Sequence, residues 1–73
     1  MTKEELVKRI GLNIRVIRES KGLSIQGLAD MLNIEYNNLI RIEKGRTNFT
    51  IGTLYYISKA LNVNIIDLIK EKD

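Results

Sequence analysis

No cysteine and no histidine occur in the 73 residues, and that absence governs how the chain can hold itself together. A domain of about 60 residues buries only about 60% of the surface its unfolded chain exposes. Chains below roughly 70–80 residues commonly lean on a disulfide, a structural metal or self-association. Without cysteine there is no disulfide and no thiolate for zinc. Without histidine, carboxylates are the only strong metal ligands left. Neither a metal nor a cofactor is expected. The remaining routes are a well-packed core, oligomerisation, or both.

Other classes fall away quickly. The 44% apolar and 29% charged content suits a globular domain. No apolar run approaches the ~20 residues that span a bilayer, so no membrane association is expected. The start, Met1-Thr2-Lys3-Glu4-Glu5, is charged and has no signal-peptide core, which points to the cytoplasm. Catalysis has little to work with: His and Cys are absent, only three serines occur, and neither a nucleophile elbow nor a phosphate-loop motif is present. The chain is therefore not expected to be an enzyme. The net charge of +3 points to a polyanion only if the charges cluster.

Proline is absent, so glycine and asparagine punctuate the chain. No segment alternates apolar and polar residues over strand length, and the fold is read as all-α, one domain over residues 1–73 with five helices. The first runs from about Lys3 to Ser20. Thr2 and Glu5 form a capping box there, and Leu6, Val7, Ile10, Ile14 and Ile17 lie on one face. The second, about Ile25 to Leu32, is capped by Ser24 and buries Leu28, Met31 and Leu32. The third, about Tyr36 to Lys44, turns Leu39 and Ile42 inward and stops at Gly45. The fourth, about Ile51 to Leu61, is capped by Thr50 and buries Ile51, Leu54, Ile57, Ser58 and Leu61. The fifth, about Ile65 to Lys70, opens on Asn64 with Asp67 at the capping-box position.

The stretch from Ile25 to Ile42 is the informative one. Two short helices are joined through Asn33-Ile34, and so tight a link sets helices at a large angle, as in a helix-turn-helix unit. Ala29 is small enough for a close crossing, and Asn33 tolerates a left-handed turn. On a wheel with Leu39 at zero, Lys44, Asn37 and Arg41 fall at about 140°, 160° and 200°, facing away from the core. Tyr36, Ile40 and Asn38 fall at about 60°, 100° and 260°, on the flanks. Amides pair with adenine, Arg with guanine, and an apolar side chain can touch a thymine methyl. The following loop, Lys44-Gly45-Arg46-Thr47-Asn48, mixes cations with small hydrogen-bonding residues, the inventory that holds phosphates. Any exposed helix and loop are polar. It is the short turn and the apolar spacing together that favour nucleic acid.

These features resemble the Cro/repressor-type, or XRE-like, helix-turn-helix proteins over nearly the whole chain. Ile10-Gly11, Arg15, Ile17-Arg18 and Gly22-Leu23-Ser24 are similar to the family's first helix and its lead into the second. Leu28-Ala29, Leu32-Asn33-Ile34 and Leu39-Ile40-Arg41-Ile42-Glu43-Lys44-Gly45 resemble its second helix, turn and recognition helix. Thr53-Leu54, Ile57, Ala60-Leu61-Asn62-Val63 and Asp67-Leu68 resemble its closing helices. The resemblance implies a compact five-helix, lambda-repressor-like DNA-binding fold. Its third helix would lie in the major groove, and dimers would bind inverted-repeat operators with half-sites about one turn apart. By position it implies base reading by Tyr36, Asn37 and Arg41, with Asn38 and Ile40 beside them. It implies phosphate contacts from Lys44, Arg46, Thr47 and Asn48, and from Gln26 near Ile25 at the start of helix 2. It also implies an ion pair between Arg18 and Glu43, and the wheel turns Glu43 partly inward, where a carboxylate needs a partner.

Three positions depart from that pattern. Ile25 stands where an amide often contacts phosphate, Asn33 replaces the usual turn glycine, and Glu35 stands where a small hydroxyl residue usually caps helix 3. A carboxylate at Glu35 caps less well than Ser or Asp and repels phosphates unless it accepts from a cytosine amine.

Leu12, Val16, Tyr56 and Ile66 do not fit the core arcs. Together they would make an apolar patch, which marks an interface. Helices 4 and 5 are the expected dimer surface, centred on Tyr56 and Ile66, with Leu12 and Val16 joining it or lying under the C-terminal segment. The function expected is a sequence-specific regulator that binds double-stranded DNA as a homodimer, more in the manner of a repressor than an activator, with no small-molecule effector in evidence. The competing reading is a helical protein-interaction module, antitoxin-like, with weak or no DNA binding.

Overall fold

The structure, a computed structural model, describes residues 1–71. Five helices follow in order: α1 (Lys3–Ser20), α2 (Ile25–Leu32), α3 (Tyr36–Glu43), α4 (Ile51–Leu61) and α5 (Ile65–Ile69). The expected all-α fold stands. Only the ends of α3 and α5 move, each closing one residue earlier than the sequence reading placed it.

Four of the five helices begin at a side chain that caps them. The Thr2 hydroxyl accepts from the Glu5 amide at 3.1 Å while the Glu5 carboxylate accepts from the Thr2 amide at 2.9 Å. That backbone bond, with the hydroxyl bond second, holds the Glu5 carboxyl below its usual pKa. The box is therefore intact at neutral pH and is lost as the pH falls through the lowered value. Ser24 and Thr50 cap α2 and α4 in the same way, at 2.9 Å and 3.1 Å from the Gly27 and Thr53 amides. Asn64 and Asp67 form the second capping box, at α5.

The links between helices reuse one device. Asn33 and Asn62 take left-handed conformations, with φ of 56° and 57°. Behind them, the amides of Ile34 and Val63 reach back five residues to the carbonyls of Ala29 and Ser58, both at 3.0 Å. Leu23 and Arg46 make the same bond to Arg18 and Arg41, at 3.1 Å and 2.9 Å. This closure satisfies carbonyls that a helix end would otherwise leave bare. The residue after each left-handed turn is then apolar in three of the four cases: Leu23, Ile34 and Val63. Each sits directly before a cap residue, as does Phe49 before Thr50. All four are partly buried against the core, and the leucines five positions later (Leu28, Leu39, Leu54 and Leu68) are buried. This is the hydrophobic-staple register, and it fixes the angle at which the chain enters each helix.

The core gathers Ile10 and Ile14 of α1, Leu28 and Ala29 of α2, Leu39 and Ile42 of α3, Leu54, Ile57 and Leu61 of α4, and Leu68 of α5. Two expectations fail here. Met31 is 56% exposed and Ile51 is 70% exposed. Both share the angular phase of the core, but Met31 lies in the last turn of α2 and Ile51 is the first residue of α4, beyond the layer that their wheels face. Two residues were not anticipated. Phe49 packs on the core from a loop. Asn13, 2% exposed, donates from its side-chain amide to the carbonyls of Leu68 and Lys70 at 2.9 Å and 3.0 Å, clamping the end of α5 to α1.

Candidate nucleic-acid interface

The helix-turn-helix unit is α2, the Asn33 turn and α3. Leu28, Ala29, Leu39 and Ile42 are buried where the two helices meet, and Ile34 is half-buried beside them. Burial of Leu39 and Ile42 fixes the rotation of α3 about its axis. Asn37 and Arg41 are consequently exposed, Tyr36 is 44% exposed, and Asn38 and Ile40 lie half-buried on the flanks.

One ion pair holds α3 in place. Arg18 and Glu43 are 6% and 8% exposed. The Arg18 Nε donates to one Glu43 oxygen at 2.7 Å and Nη2 to the other at 3.1 Å, a bidentate fork. Its Nη1 donates to the Leu23 carbonyl at 2.8 Å. A single guanidinium thus ties α1 to the end of α3 and to the link that starts α2. The hydrogen bond to Glu43 raises the Arg18 pKa, already the highest of any side chain, against the opposing effect of burial.

Close backbone approach does the rest. A Cβ on Gly11 would lie 2.6 Å from the Glu43 carbonyl oxygen and would also press on that of Ile42. The bare glycine therefore lets α1 lie directly against the end of α3. Gly45 has φ of 70°, and a Cβ there would meet the Lys8 backbone at 2.7 Å. The turn after α3 is thereby folded back onto α1. The loop that follows shares a shallow cleft with Lys3, Glu4 and Val7, lined on its side by Gly45, Arg46, Thr47 and Asn48.

The charges on this surface are available. Among the described residues, Arg41, Lys44 and Arg46 have no ion-pair partner, as is also true of Lys3, Lys8, Lys21 and Lys59, whereas Arg9, Arg15 and Lys70 each have one and Arg18 has two, Glu43 and, at 3.9 Å, Glu19. The Glu43 carboxylate, which would oppose them, is buried and neutralised by Arg18. Arg46 and Asn48 are exposed; Thr47 is half-buried and its hydroxyl donates to the Asn48 carbonyl at 3.4 Å. Gln26 is exposed, but its amide donates to Asp30 at 2.8 Å, so a ligand would have to compete for it. Beside Lys44 a second cleft is lined by Arg15, Ile25, Ile40 and Glu43. Arg15, in the sequence one element of the family pattern, therefore stands on this face. It is exposed and makes a bond of 3.4 Å to Glu19.

The four apolar residues expected at an interface, Leu12, Val16, Tyr56 and Ile66, all lie outside the core. Leu12, Tyr56 and Ile66 are 54%, 66% and 61% exposed, and Val16 is half-buried. Tyr56 borders a shallow groove with Met31, Leu32 and Ala60. Tyr55, 49% exposed, stands edge-on to it with ring centres 5.5 Å apart.

Comparison with known proteins agrees with this geometry. Residues 14–68 match the helix-turn-helix family HTH_3. The chain is 30% identical, over 69 residues, to the uncharacterized HTH-type transcriptional regulator y4dJ of Sinorhizobium fredii, a match covering 94% of this chain and 90% of that protein. The fold is similar to the restriction-modification controller protein C.AhdI of Aeromonas hydrophila, with a TM-score of 0.80, 28% identity, and 88% and 96% of the two chains covered. It is also similar to the clp gene regulator ClgR of C. glutamicum, with a TM-score of 0.85, 25% identity, and 88% and 82% covered. The family and its members named here are regulators rather than enzymes, and among the described residues no helix is long and apolar enough to cross a membrane. The chain belongs to the XRE-type helix-turn-helix family of DNA-binding transcriptional regulators.

Proposed function

We propose that residues 1–73 act as one helix-turn-helix domain that binds an inverted-repeat operator as a homodimer and represses transcription, in the cytoplasm. The observation that carries this reading is the unpaired cationic set of Arg41 on α3, a helix whose rotation is fixed by burial, with Lys44 and Arg46 just beyond its end. Tyr36, Asn37 and Arg41 read base edges, with Asn38 and Ile40 at the margins. Lys44, Arg46, Thr47, Asn48 and Gln26 hold the backbone. Likeness to the controller C.AhdI supports a small regulator of that kind.

Salt tests the electrostatic half. About six phosphate contacts give a slope of log K against log salt of about −5. Lys44→Ala reduces the slope by about 1 while weakening binding evenly across sequences. Titration of a labelled duplex at several salt concentrations measures both. A flat salt dependence would favour the protein-interaction reading instead.

The dimer surface is tested separately. Tyr56→Lys with Ile66→Lys places two charges at its proposed centre, with Leu12 and Val16 at its edge. Sedimentation is expected to show a folded monomer, and operator affinity falls by at least the tenfold that one lost contact of about 1.4 kcal/mol represents. An unchanged dimer refutes the assignment.

A further inference from the structure

Glu35 opens α3 yet does nothing for it. Its φ of −69° and ψ of 143° are those of an ordinary N-cap, but its side chain accepts no bond from the helix. Among the described acidic residues, every one except Glu4 and Glu35 has a hydrogen-bond or ion-pair partner. Glu35 is exposed and directly precedes Tyr36 and Asn37. In helix-turn-helix proteins it is the N-terminal end of the second helix that contacts base edges. A free carboxylate at that end meets phosphate repulsion on every DNA sequence. Nearby cations offset it equally on every sequence; a donor on a base offsets it on some sequences and not others.

The major groove offers two such donors, the cytosine N4 amine and the adenine N6 amine. The adenine amine lies beside N7, an acceptor that repels a carboxylate. Cytosine presents its amine without that neighbour. We infer that Glu35 is a specificity determinant that accepts a hydrogen bond from the N4 amine of one cytosine in each operator half-site. This rests on the regulator reading above. It adds a residue and a base to that reading, and it explains why a charge stands where a serine would cap the helix better.

Parallel selections from a random duplex pool test it, using the unaltered protein, Glu35→Ala and Glu35→Gln, each confirmed as folded by circular dichroism. The unaltered protein is expected to enrich cytosine at one position per half-site, and changing that base to thymine weakens binding about tenfold. Glu35→Ala keeps the rest of the operator and becomes indifferent at that position. Glu35→Gln, which can both donate and accept, shifts the preference there to adenine. If all three proteins enrich one operator with the same preference at every position, and Glu35→Ala simply binds more tightly, the carboxylate is only a repulsive charge and the inference fails alone. If none of them enriches any sequence, the regulator reading fails and takes the inference with it.

Discussion

Glu43→Ala is expected to lower folding stability by about 3–5 kcal/mol, the usual result of removing one partner from a buried ion pair. The remaining Arg18 is 6% exposed and would keep its charge with no bidentate partner, only the Leu23 carbonyl at 2.8 Å and the exposed Glu19 carboxylate at 3.9 Å. It cannot escape by losing a proton, because guanidinium does not deprotonate in proteins. Small domains have about 5–15 kcal/mol in total, so much of the chain would be unfolded near its working temperature. Urea denaturation measures the loss. Two comparisons isolate the cause. Arg15→Ala, which breaks an exposed pair with Glu19 at 3.4 Å, should change stability by no more than about 1 kcal/mol. Arg18→Met combined with Glu43→Leu should recover most of the stability, since an apolar pair has no stranded charge. A loss below about 1 kcal/mol for Glu43→Ala would mean that the pair is not buried as described.

Gly11→Ala should also destabilise, by about 1–3 kcal/mol, although alanine is the better helix former. The new Cβ would lie 2.6 Å from the Glu43 carbonyl oxygen, a backbone atom that can retreat only if α3 moves away from α1. The same movement shifts the exposed face of α3, so DNA affinity falls further than the stability loss alone accounts for. Gly52→Ala is the contrast. There the nearest atom to a Cβ is the Thr50 hydroxyl oxygen at 3.6 Å, ordinary contact, and removing a glycine from α4 should stabilise by up to about 1 kcal/mol. Thermal unfolding of the two variants gives opposite signs. A stabilised Gly11→Ala would show that α1 and α3 are not in backbone contact.

Much of this was legible in the sequence because local signals and apolar spacing agreed. Caps at Thr2, Ser24, Thr50 and Asn64 set the starts of four helices, and each side chain makes its capping bond. Asn33 could be read as a left-handed turn because asparagine tolerates that conformation and the link is too short for anything else. Glu35 could be read as a poor cap, and its side chain makes no capping bond. The inward turn of Glu43 followed from the wheel alone.

What escaped was either at a helix end or far away along the chain. A wheel gives angle but not height, and Ile51 and Met31 share the core's angle but lie beyond the layer it fills. Phe49 lies outside any helix, where periodicity is silent, yet its position one residue before Thr50 and five before Leu54 is the staple register. The clamp from Asn13 to the Leu68 carbonyl spans 55 residues of sequence and exists only once α5 has docked. Gly11 was part of the family pattern, but the α3 carbonyls that exclude a side chain there come from the fold.

The central claim is that α3, held by Arg18 and Glu43, reads DNA as part of a two-fold dimer. Selection of the folded protein against a random duplex library at near-physiological salt tests it most directly. The account predicts an enriched inverted repeat with half-sites about one helical turn apart, roughly 34–36 Å between centres. Failure of the folded protein to enrich any sequence would contradict it.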